Sequence, residues 1–497
     1  MEDRKNNGVD TALHRQVSPA ATANFHEDEV YRRALRKVDL VVVPLVTMFY
    51  FLSFIDRSNI GNARVAGLQA DLKMTDHQYS TALTITYVPY IVWELPSNLL
   101  LKRLSPRILL PLYVCLWGLV STLQGLVTSY SGLLVCRFFL GLVEGGLLPG
   151  ILLYMSSFFP RHKLQVRVSV LFCATSLGGA FSGLLAAAII HMDGIQGKRG
   201  WAWIFILEGI FSVAFGFISF FFLPSSPLTT KFLTQEERVA LDNALKADGS
   251  GDEEHESFTW SEVVSACMAP QVIFCGILLF FIGTTLYGLA YFAPSIVNTL
   301  GYSATRTQLM TVPPYACSFV VNLLFAYLSD RYRQRGLATI GISIIAVIGY
   351  AMYLGSAKKG VIYAALFFQV TGAYGGAPTV SAWMANNVMP HYKRATAVAI
   401  GFIMSNSGGI LSTWIFTKPP RYTIATRINL AFSVATIFVA LANMLYLRDQ
   451  NTKKAAQRAA AVTSAGETAG NVNTGEGHDG LDKTRLGDRH PNFIYTL

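Results

Sequence analysis

Long apolar segments alternate with short polar loops along most of the chain. About twelve of them are long enough to cross roughly 30 Å of hydrocarbon as helices. They lie near residues 39–58, 79–100, 108–127, 132–155, 168–190, 202–223, 271–296, 307–328, 337–355, 361–384, 396–416 and 428–447. The pattern predicts an all-α polytopic membrane protein.

The segments form two groups of six around a polar stretch. The predicted organisation is a disordered cytosolic N-terminus (1–37), a six-helix bundle (38–223), a cytosolic linker (224–270), a second six-helix bundle (271–447) and a disordered cytosolic tail (448–497). In the linker, Thr234 followed by Glu237 fits a capping box and predicts a short helix over 234–246. Basic residues recur in the loops after the second and eighth segments, which favours two similar halves of a transporter over chance similarity.

Composition supports the membrane assignment. The 497 residues are 52% hydrophobic and only 14% charged, far more apolar than a soluble enzyme of this size. The first 37 residues are polar and lack a cleavable signal peptide, so the first apolar helix is expected to target the chain to the membrane. The six cysteines have no metal-site spacing and are predicted to be small core residues. No cofactor or metal site is predicted.

The net charge of +10 comes from short basic clusters between apolar segments. This distribution favours the positive-inside rule over nucleic-acid binding. The basic loops place both termini in the cytosol, although the opposite loops also carry some lysine and arginine. A monomer in the plasma membrane is expected.

Four charged residues inside the apolar segments stand out: Asp56 and Arg57 in the first, and Arg137 and Glu144 in the fourth. A charge at a helix centre costs about 2.5–3.5 kcal/mol, so such residues normally face the bundle interior. Arg137 and Glu144 are almost two helical turns apart and share a face, with Gly141 between them. The glycine would allow a neighbouring helix or a ligand to approach closely.

These charges suggest proton coupling and anion binding. A desolvated carboxyl group near an arginine can gain and lose a proton with small movements, so Asp56 and Glu144 are candidate proton carriers. The alternative for Glu144 is a structural ion pair with a neighbouring helix. Arg57 suits a two-pronged contact with a substrate carboxylate, and its alternative is an interfacial position.

Other polar residues lie near these charges. Tyr50 shares the face of Arg57, while Tyr87 and Asn406 lie at depths where water is scarce. Each either contacts substrate or pairs with a neighbouring helix. Glu94 is predicted to act as a gate or lock near the cytosolic side, and Glu208 to be structural. The remaining predicted gating residues are basic or acidic loop positions: Lys102, Arg103, Asp330, Arg331 and Arg335.

Several blocks together resemble the major facilitator superfamily and, within it, the anion:cation symporter family in the fungal branch of allantoate and nicotinate permeases. They are FIDRSNIGNA (54–63), ELPSNLLLKR (94–103), RFFLGLVEGGLLPG (137–150), WAWIFILEGIFSV (201–213), YFAPSIVNTLGYS (291–303), LMTVPPYACSF (309–319) and SAWMANNVMPHYKRA (381–395). The resemblance covers about residues 35–450. It implies proton coupling and anion binding at Asp56, Arg57, Arg137 and Glu144.

The same resemblance implies that Tyr87 and Asn406 lie beside the substrate. The sequence therefore predicts proton-coupled symport of a small organic carboxylate, nicotinate- or allantoate-like, by alternating access. Its partners would be the substrate, protons and the lipid bilayer. The alternatives are an exporter of a fungal metabolite or drug and a nutrient sensor that does not transport. An enzyme is not predicted, because the hydrolase and metalloprotease motifs are missing from the sequence.

Overall fold

A computed structural model of the chain describes residues 19–247, 260–332, 334–389, 391–417, 419–468 and 487–497. Within these ranges the chain forms helices, turns and loops, and no β-strand. The α-helices are α1 (Pro19–Val65), α2 (Leu68–Asp71), α3 (Asp76–Arg103), α4 (Pro106–Gln124), α5 (Tyr130–Glu144), α6 (Leu147–Ser156), α7 (Arg161–Ile189), α8 (Gly200–Phe222), α9 (Gln235–Ala247), α10 (Trp260–Met268), α11 (Pro270–Asn298), α12 (Ala304–Tyr332), α13 (Arg335–Gly355), α14 (Lys359–Asn386), α15 (His391–Ile415) and α16 (Thr423–Thr468).

Each of the predicted apolar segments coincides with a helix, and the fourth is divided between α5 and α6. In the described ranges, ten spans are long and apolar enough to cross a membrane. Helices α3 and α14 have 28 residues each and lie in the same bundles, although they are not among those ten. The predicted all-α membrane fold is confirmed.

The helices pack into two bundles. In the first, α4 packs on α5 and α8, α3 packs on α5, and α1 packs on α7. In the second, α11 packs on α15, and α13 packs on α14 and α16. The bundles meet where α1, α3 and α7 of the first face α11, α15 and α12 of the second. Functional residues on α1 and α5 therefore lie close to the second bundle.

The two bundles are in close contact at one end, which we call the far end because α1 finishes there at Val65. Gln308 Nε2 donates to the Asn62 carbonyl oxygen at 3.0 Å, and the hydroxyls of Thr84 and Thr413 are 2.7 Å apart. At Gly61 any side chain would overlap the Tyr291 carbonyl, so glycine permits this backbone approach. These contacts seal the far end.

The opposite end, called the terminus end, carries the start of α1 and the linker helix α9. The prediction of a disordered N-terminus up to residue 37 is wrong from Pro19 onward, since α1 begins there. The buried side chains of Val30 and Leu35 explain the extension, and Leu35 joins a core that includes Leu241 of α9. Apolar burial of this kind stabilises helix beyond the hydrophobic span.

The linker helix begins as predicted. The Thr234 hydroxyl accepts from the Glu237 amide at 3.3 Å, and Glu237 accepts from the Thr234 amide at 2.9 Å, which confirms the capping box. Glu237 also pairs with Lys37 at 2.8 Å. Burial raises the pKa of Glu237, but the hydrogen bonds from Lys37 and Thr234 outweigh this and leave the pKa lowered. The pair is therefore retained at neutral pH and lost as the pH falls through that lowered pKa.

The prediction of a disordered tail from residue 448 is wrong in two places. Helix α16 continues to Thr468, and residues 487–497 pack against the terminus end of the second bundle. Lys393 donates to both oxygens of Asp488 at 2.7 and 2.8 Å, and Gln271 donates to the same carboxylate at 2.9 Å. Both members of the ion pair are buried. A buried ion pair and apolar contacts together hold this segment in place. The segment is too short to show the periodic spacing of apolar residues that predicts a helix or a strand.

Replacing Asp488 with alanine is expected to destabilise the second bundle. The change leaves the Lys393 ammonium buried without its carboxylate, and breaking a buried pair in this way costs about 3–5 kcal/mol. We expect a clear fall in the melting temperature of the detergent-solubilised protein. The matched control is Asp449→Ala, which removes an exposed pair with Lys453 and should change little. Equal melting temperatures for the two variants would contradict the packed tail.

The cysteines only partly follow the prediction. Cys173 and Cys275 are buried, whereas Cys267 and Cys317 are exposed on outer helix faces. Cys317 lies on α12, three residues before Val320, which is also exposed. The core interpretation therefore holds for the buried thiols and is wrong for these two.

Candidate functional site

A cavity of about 40 Å³ lies between the bundles, on the terminus side of the seal. Aromatic side chains make up seven of the seventeen described residues that line it. Its polar lining includes Arg57, Thr175, Ser381, Ser405 and Asn406, and Arg57 is the one charged residue among the described residues that line it. A volume of this size holds only a few water molecules. An organic ligand could enter only if the bundles moved apart.

Arg57 is fixed between the two bundles. Its Nε donates to Glu144 Oε1 at 2.7 Å, and its Nη1 donates to the hydroxyl of Tyr287 on α11 at 3.2 Å. The guanidinium also lies over the ring of Tyr90, 4.7 Å from its centroid. Ser53 donates to the same Glu144 oxygen. Glu144 thus neutralises the charge of Arg57 from one side, while the other side of the guanidinium faces the cavity.

Asp56 points away from the cavity, into the first bundle. Trp117 Nε1 donates to its Oδ2 at 2.7 Å, and the Ser121 hydroxyl donates to its Oδ1 at 3.0 Å. Both donors come from α4. Adjacent residues of α1 therefore face in different directions, because the helix turns about 100° per residue. Arg57 is placed at the cavity and Asp56 is held by neutral donors behind it.

Arg137 and Glu144 are both buried on α5, as their spacing predicts. Arg137 lies over the Phe205 ring at 5.9 Å, and its Nε and Nη2 have no hydrogen-bond partner among the described residues. It lies within electrostatic range of Asp56 and Glu144. Arg137 therefore supplies positive charge inside the first bundle without lining the cavity.

Gly141, between Arg137 and Glu144, permits the close approach of α3. A Cβ at this position would overlap the carbonyl oxygen of Thr86. Of the two possibilities that the sequence left open, a helix and not a ligand occupies the space. The glycine therefore permits tight packing of α3 on α5, about one turn before Glu144.

Gly141→Ala is expected to separate α3 from α5 and to reduce the yield of folded protein. Overpacking a tight core costs about 1–3 kcal/mol, and contact with a rigid backbone leaves little room for relaxation. Melting temperature and the monodisperse fraction after solubilisation measure the effect. Gly132→Ala, on the same helix, is the control because its nearest neighbour would be 3.4 Å away. If both variants behave like the parent protein, the packing argument fails.

The three other predicted substrate residues occupy different places. Tyr50 and Asn406 line the cavity. Asn406 Oδ1 accepts from the Tyr287 hydroxyl at 3.3 Å, which connects it to Arg57. Tyr87 lies outside the cavity lining, with its hydroxyl 2.7 Å from that of Tyr291. Tyr87 therefore contacts the second bundle in this conformation instead of facing the cavity.

The predicted gating residues are at the terminus end. Glu94 is buried, and its Oε2 has no hydrogen-bond partner in the described ranges. Arg331 is exposed and donates to the Tyr327 hydroxyl at 3.1 Å, whereas Arg335 is buried and donates to Ser329 at 3.2 Å. The side chains of three further predicted gating residues lie outside the described residues: Lys102, Arg103 and Asp330.

Several site residues were not predicted from the sequence. Tyr287 contacts both Arg57 and Asn406, and Ser53 binds Glu144. Tyr287 stands in the apolar run TTLYGLAYF, so a polar ring in a membrane helix was a detectable signal. Ser53 gave no such signal, because a lone serine is common in membrane helices and usually bonds its own backbone.

The sequence is similar to those of known membrane transporters. The sequence model of the Major Facilitator Superfamily matches residues 46–413. An uncharacterized transporter of Schizosaccharomyces pombe is 34% identical over 449 residues, covering 90% of each chain. The high-affinity nicotinic acid transporter of Saccharomyces cerevisiae is 32% identical over 469 residues, covering 93% of this chain and 84% of that one.

Solved structures agree on the fold. The crystal structure of a D-xylose-proton symporter has a TM-score of 0.62 at 15% identity and covers 80% of this chain and 96% of that chain. An inward-facing, occupied bacterial homolog of the human lysosomal transporter Spinster has a TM-score of 0.61 at 16% identity, covering 82% and 96%. At these identities the likeness concerns the fold alone.

Proposed function

The chain belongs to the Major Facilitator Superfamily, and on this basis we propose that it moves a small organic carboxylate across the membrane together with a proton. It is a multi-pass transport protein and not an enzyme. The carboxylate substrate and the coupled proton are the proposal. Its main support is the ion pair between Arg57 and Glu144 beside the cavity.

This ion pair links the proton to the substrate. Arg57 keeps its positive charge at any physiological pH, so it needs an anionic partner in an apolar interior. Without substrate, Glu144 is that partner. When Glu144 takes a proton, it no longer neutralises Arg57, and a substrate carboxylate can take its place. Loss of the proton restores the pair and displaces the substrate.

The exchange provides coupling only if it also controls the movement of the bundles. Arg57 contacts Tyr287, so the same side chain connects the proton site on α5 with the second bundle. The sealed far end and the small cavity represent one arrangement of the bundles. Proton and substrate would act together by stabilising the arrangement that both occupy. Alternating access then follows from rocking of the two bundles.

The cavity walls favour an aromatic monocarboxylate. Seven aromatic residues line it: Tyr50, Phe54, Tyr90, Phe172, Tyr287, Tyr374 and Phe402. Rings stack or meet edge to face with other rings, which favours a planar substrate. A single cation neutralises a single carboxylate. The Saccharomyces relative is named for nicotinic acid, which has this chemistry.

The proposal is tested by uptake of radiolabelled carboxylates into cells that express the chain. Nicotinate, benzoate, allantoate and a dicarboxylate are compared at acidic and at neutral external pH. We expect acid-stimulated uptake, with the aromatic monocarboxylates preferred. If no carboxylate enters at either pH while surface labelling shows the protein in the plasma membrane, import is contradicted and export becomes the working hypothesis.

A further inference from the structure

A third buried carboxyl group lies near the two that the proposed mechanism names. Glu208 on α8 is 8% exposed, and it is close enough to Asp56 to interact electrostatically. Among the described residues, a buried cluster in the first bundle thus contains three carboxyl groups and two guanidinium groups. The carboxyl groups are Asp56, Glu144 and Glu208, and the guanidinium groups are Arg57 and Arg137.

No other charged group enters this cluster from the described residues. Near Glu208, α4 presents Trp117, Ser121 and Gln124, and the charged residues of α7 all lie in its first seven positions, near the terminus end. In the second bundle, α11 has no charged residue. The other helices there carry charge only near the ends of their membrane segments. Glu94, on α3, makes no ion pair with the cluster.

An imbalance of charge in this apolar interior is costly, and both arginines are permanently cationic. Three ionised carboxylates would leave the cluster with one excess negative charge. Neutrality therefore requires one carboxyl group to be protonated when no substrate is bound. Glu144 has an arginine partner, and Asp56 has two neutral donors and Arg137 within range.

Of the three carboxyl groups, Glu208 has the fewest interactions that would stabilise its negative charge. It receives one hydrogen bond, from Asn59 Nδ2 to Oε2. Its Oε1 has no partner in the described chain, and neither does Asn59 Oδ1. Both atoms are acceptors when Glu208 is ionised. With a proton on Oε1, Glu208 would donate to Asn59 Oδ1, and the acid and the amide would pair through two hydrogen bonds.

We propose that Glu208 holds a resident proton, paired with Asn59, throughout the transport cycle. Glu208 is then a positioning residue that keeps the cluster neutral while Glu144 alone exchanges its proton. Together with the proposed function, this sets the coupling ratio. One proton on Glu144 accompanies one monocarboxylate on Arg57, so the loaded and the empty clusters have the same charge and transport is electroneutral.

Infrared difference spectroscopy tests the resident proton without any transport assay. At neutral pH a solvent-exposed glutamate is ionised. A carbonyl band of a protonated carboxyl group, recognised by its shift when deuterium replaces the proton, therefore identifies a buried acid. We expect the purified full chain to show such a band, and Glu208→Gln to lose it. Glutamine can pair with Asn59 as the neutral acid does, so the variant should fold. The exposed Glu236→Gln is the control. An unchanged band in Glu208→Gln would overturn the proposal.

The coupling ratio is tested in proteoliposomes with radiolabelled nicotinate. If one proton crosses with each nicotinate anion, the ratio of internal to external nicotinate at equilibrium rises about tenfold per unit of pH gradient. This ratio does not respond to a potassium diffusion potential. Glu208→Gln should keep this slope whatever its rate. Three results would overturn the ratio of one proton per anion. They are a hundredfold rise in nicotinate accumulation per pH unit, a response to the membrane potential, and a different rise per pH unit in Glu208→Gln. If the parent chain shows no gradient-driven uptake of nicotinate, benzoate, allantoate or a dicarboxylate, the proposed function is refuted, and the infrared result still decides Glu208.

Discussion

Arg57→Ala is expected to reduce carboxylate uptake by about thirtyfold or more, because truncating one partner of a buried charge pair costs about 2–5 kcal/mol. The variant removes the one cation of the described cavity lining and leaves Glu144 without its partner. Initial uptake rates, normalised to surface protein, measure the effect. Arg57→Lys keeps the charge but loses the planar two-pronged contact, so it should recover only part of the activity.

The control for Arg57→Ala is Arg64→Ala on the same helix. Arg64 pairs with the exposed Asp76 at 2.7 Å near the far end, away from the cavity. Loss of the Arg64 side chain should change the initial uptake rate by no more than a few times. If Arg57→Ala transports as well as Arg64→Ala, the carboxylate does not depend on Arg57 and the proposed site is wrong.

Glu144→Gln is expected to abolish the acid stimulation of uptake. Glutamine cannot become ionised, so Arg57 is available to a substrate at every pH. Binding of nicotinate to the purified variant should therefore be as tight at neutral pH as at acidic pH, whereas the parent protein should bind more tightly at acidic pH. Concentrative uptake is lost because no proton is released to displace the substrate.

Equilibrium binding across a pH series tests this expectation. The exposed Glu236→Gln, on the linker helix, should retain the parental pH dependence. A Glu144→Gln variant whose binding still strengthens on acidification would contradict the role of Glu144. It would direct attention to Asp56 or Glu94 as the acid that exchanges its proton.

The sequence predicted the helices of this fold well, because membrane spans are set by length and apolarity. The spacing of Arg137 and Glu144 also predicted that both face the bundle interior, which the structure confirms by their burial. The pairing of Glu144 with Arg57 was not predictable, since it depends on how α1 lies against α5.

Two terminal segments were wrongly predicted to be disordered, because a few long-range contacts order them despite their polar composition. Residues 487–497 look polar in isolation, but Asp488 binds Lys393 and Tyr495 is buried in the second bundle's core. The start of α1 is polar except for residues such as Leu35 that face the linker helix. From its depth, Tyr87 was predicted to contact either substrate or a neighbouring helix, and the family resemblance implied that it lies beside the substrate. Its contact with Tyr291 depends on the packing of two bundles, which local sequence does not give.

Proton movement during uptake shows directly whether the carboxylate and the proton cross together through Arg57 and Glu144. Nicotinate is added outside proteoliposomes that contain no substrate and no pH gradient, and the external pH is followed with a dye. We expect external alkalinisation to accompany nicotinate entry with the parent protein and to be missing with Glu144→Gln. Nicotinate entry by the parent protein without any proton movement would contradict this expectation.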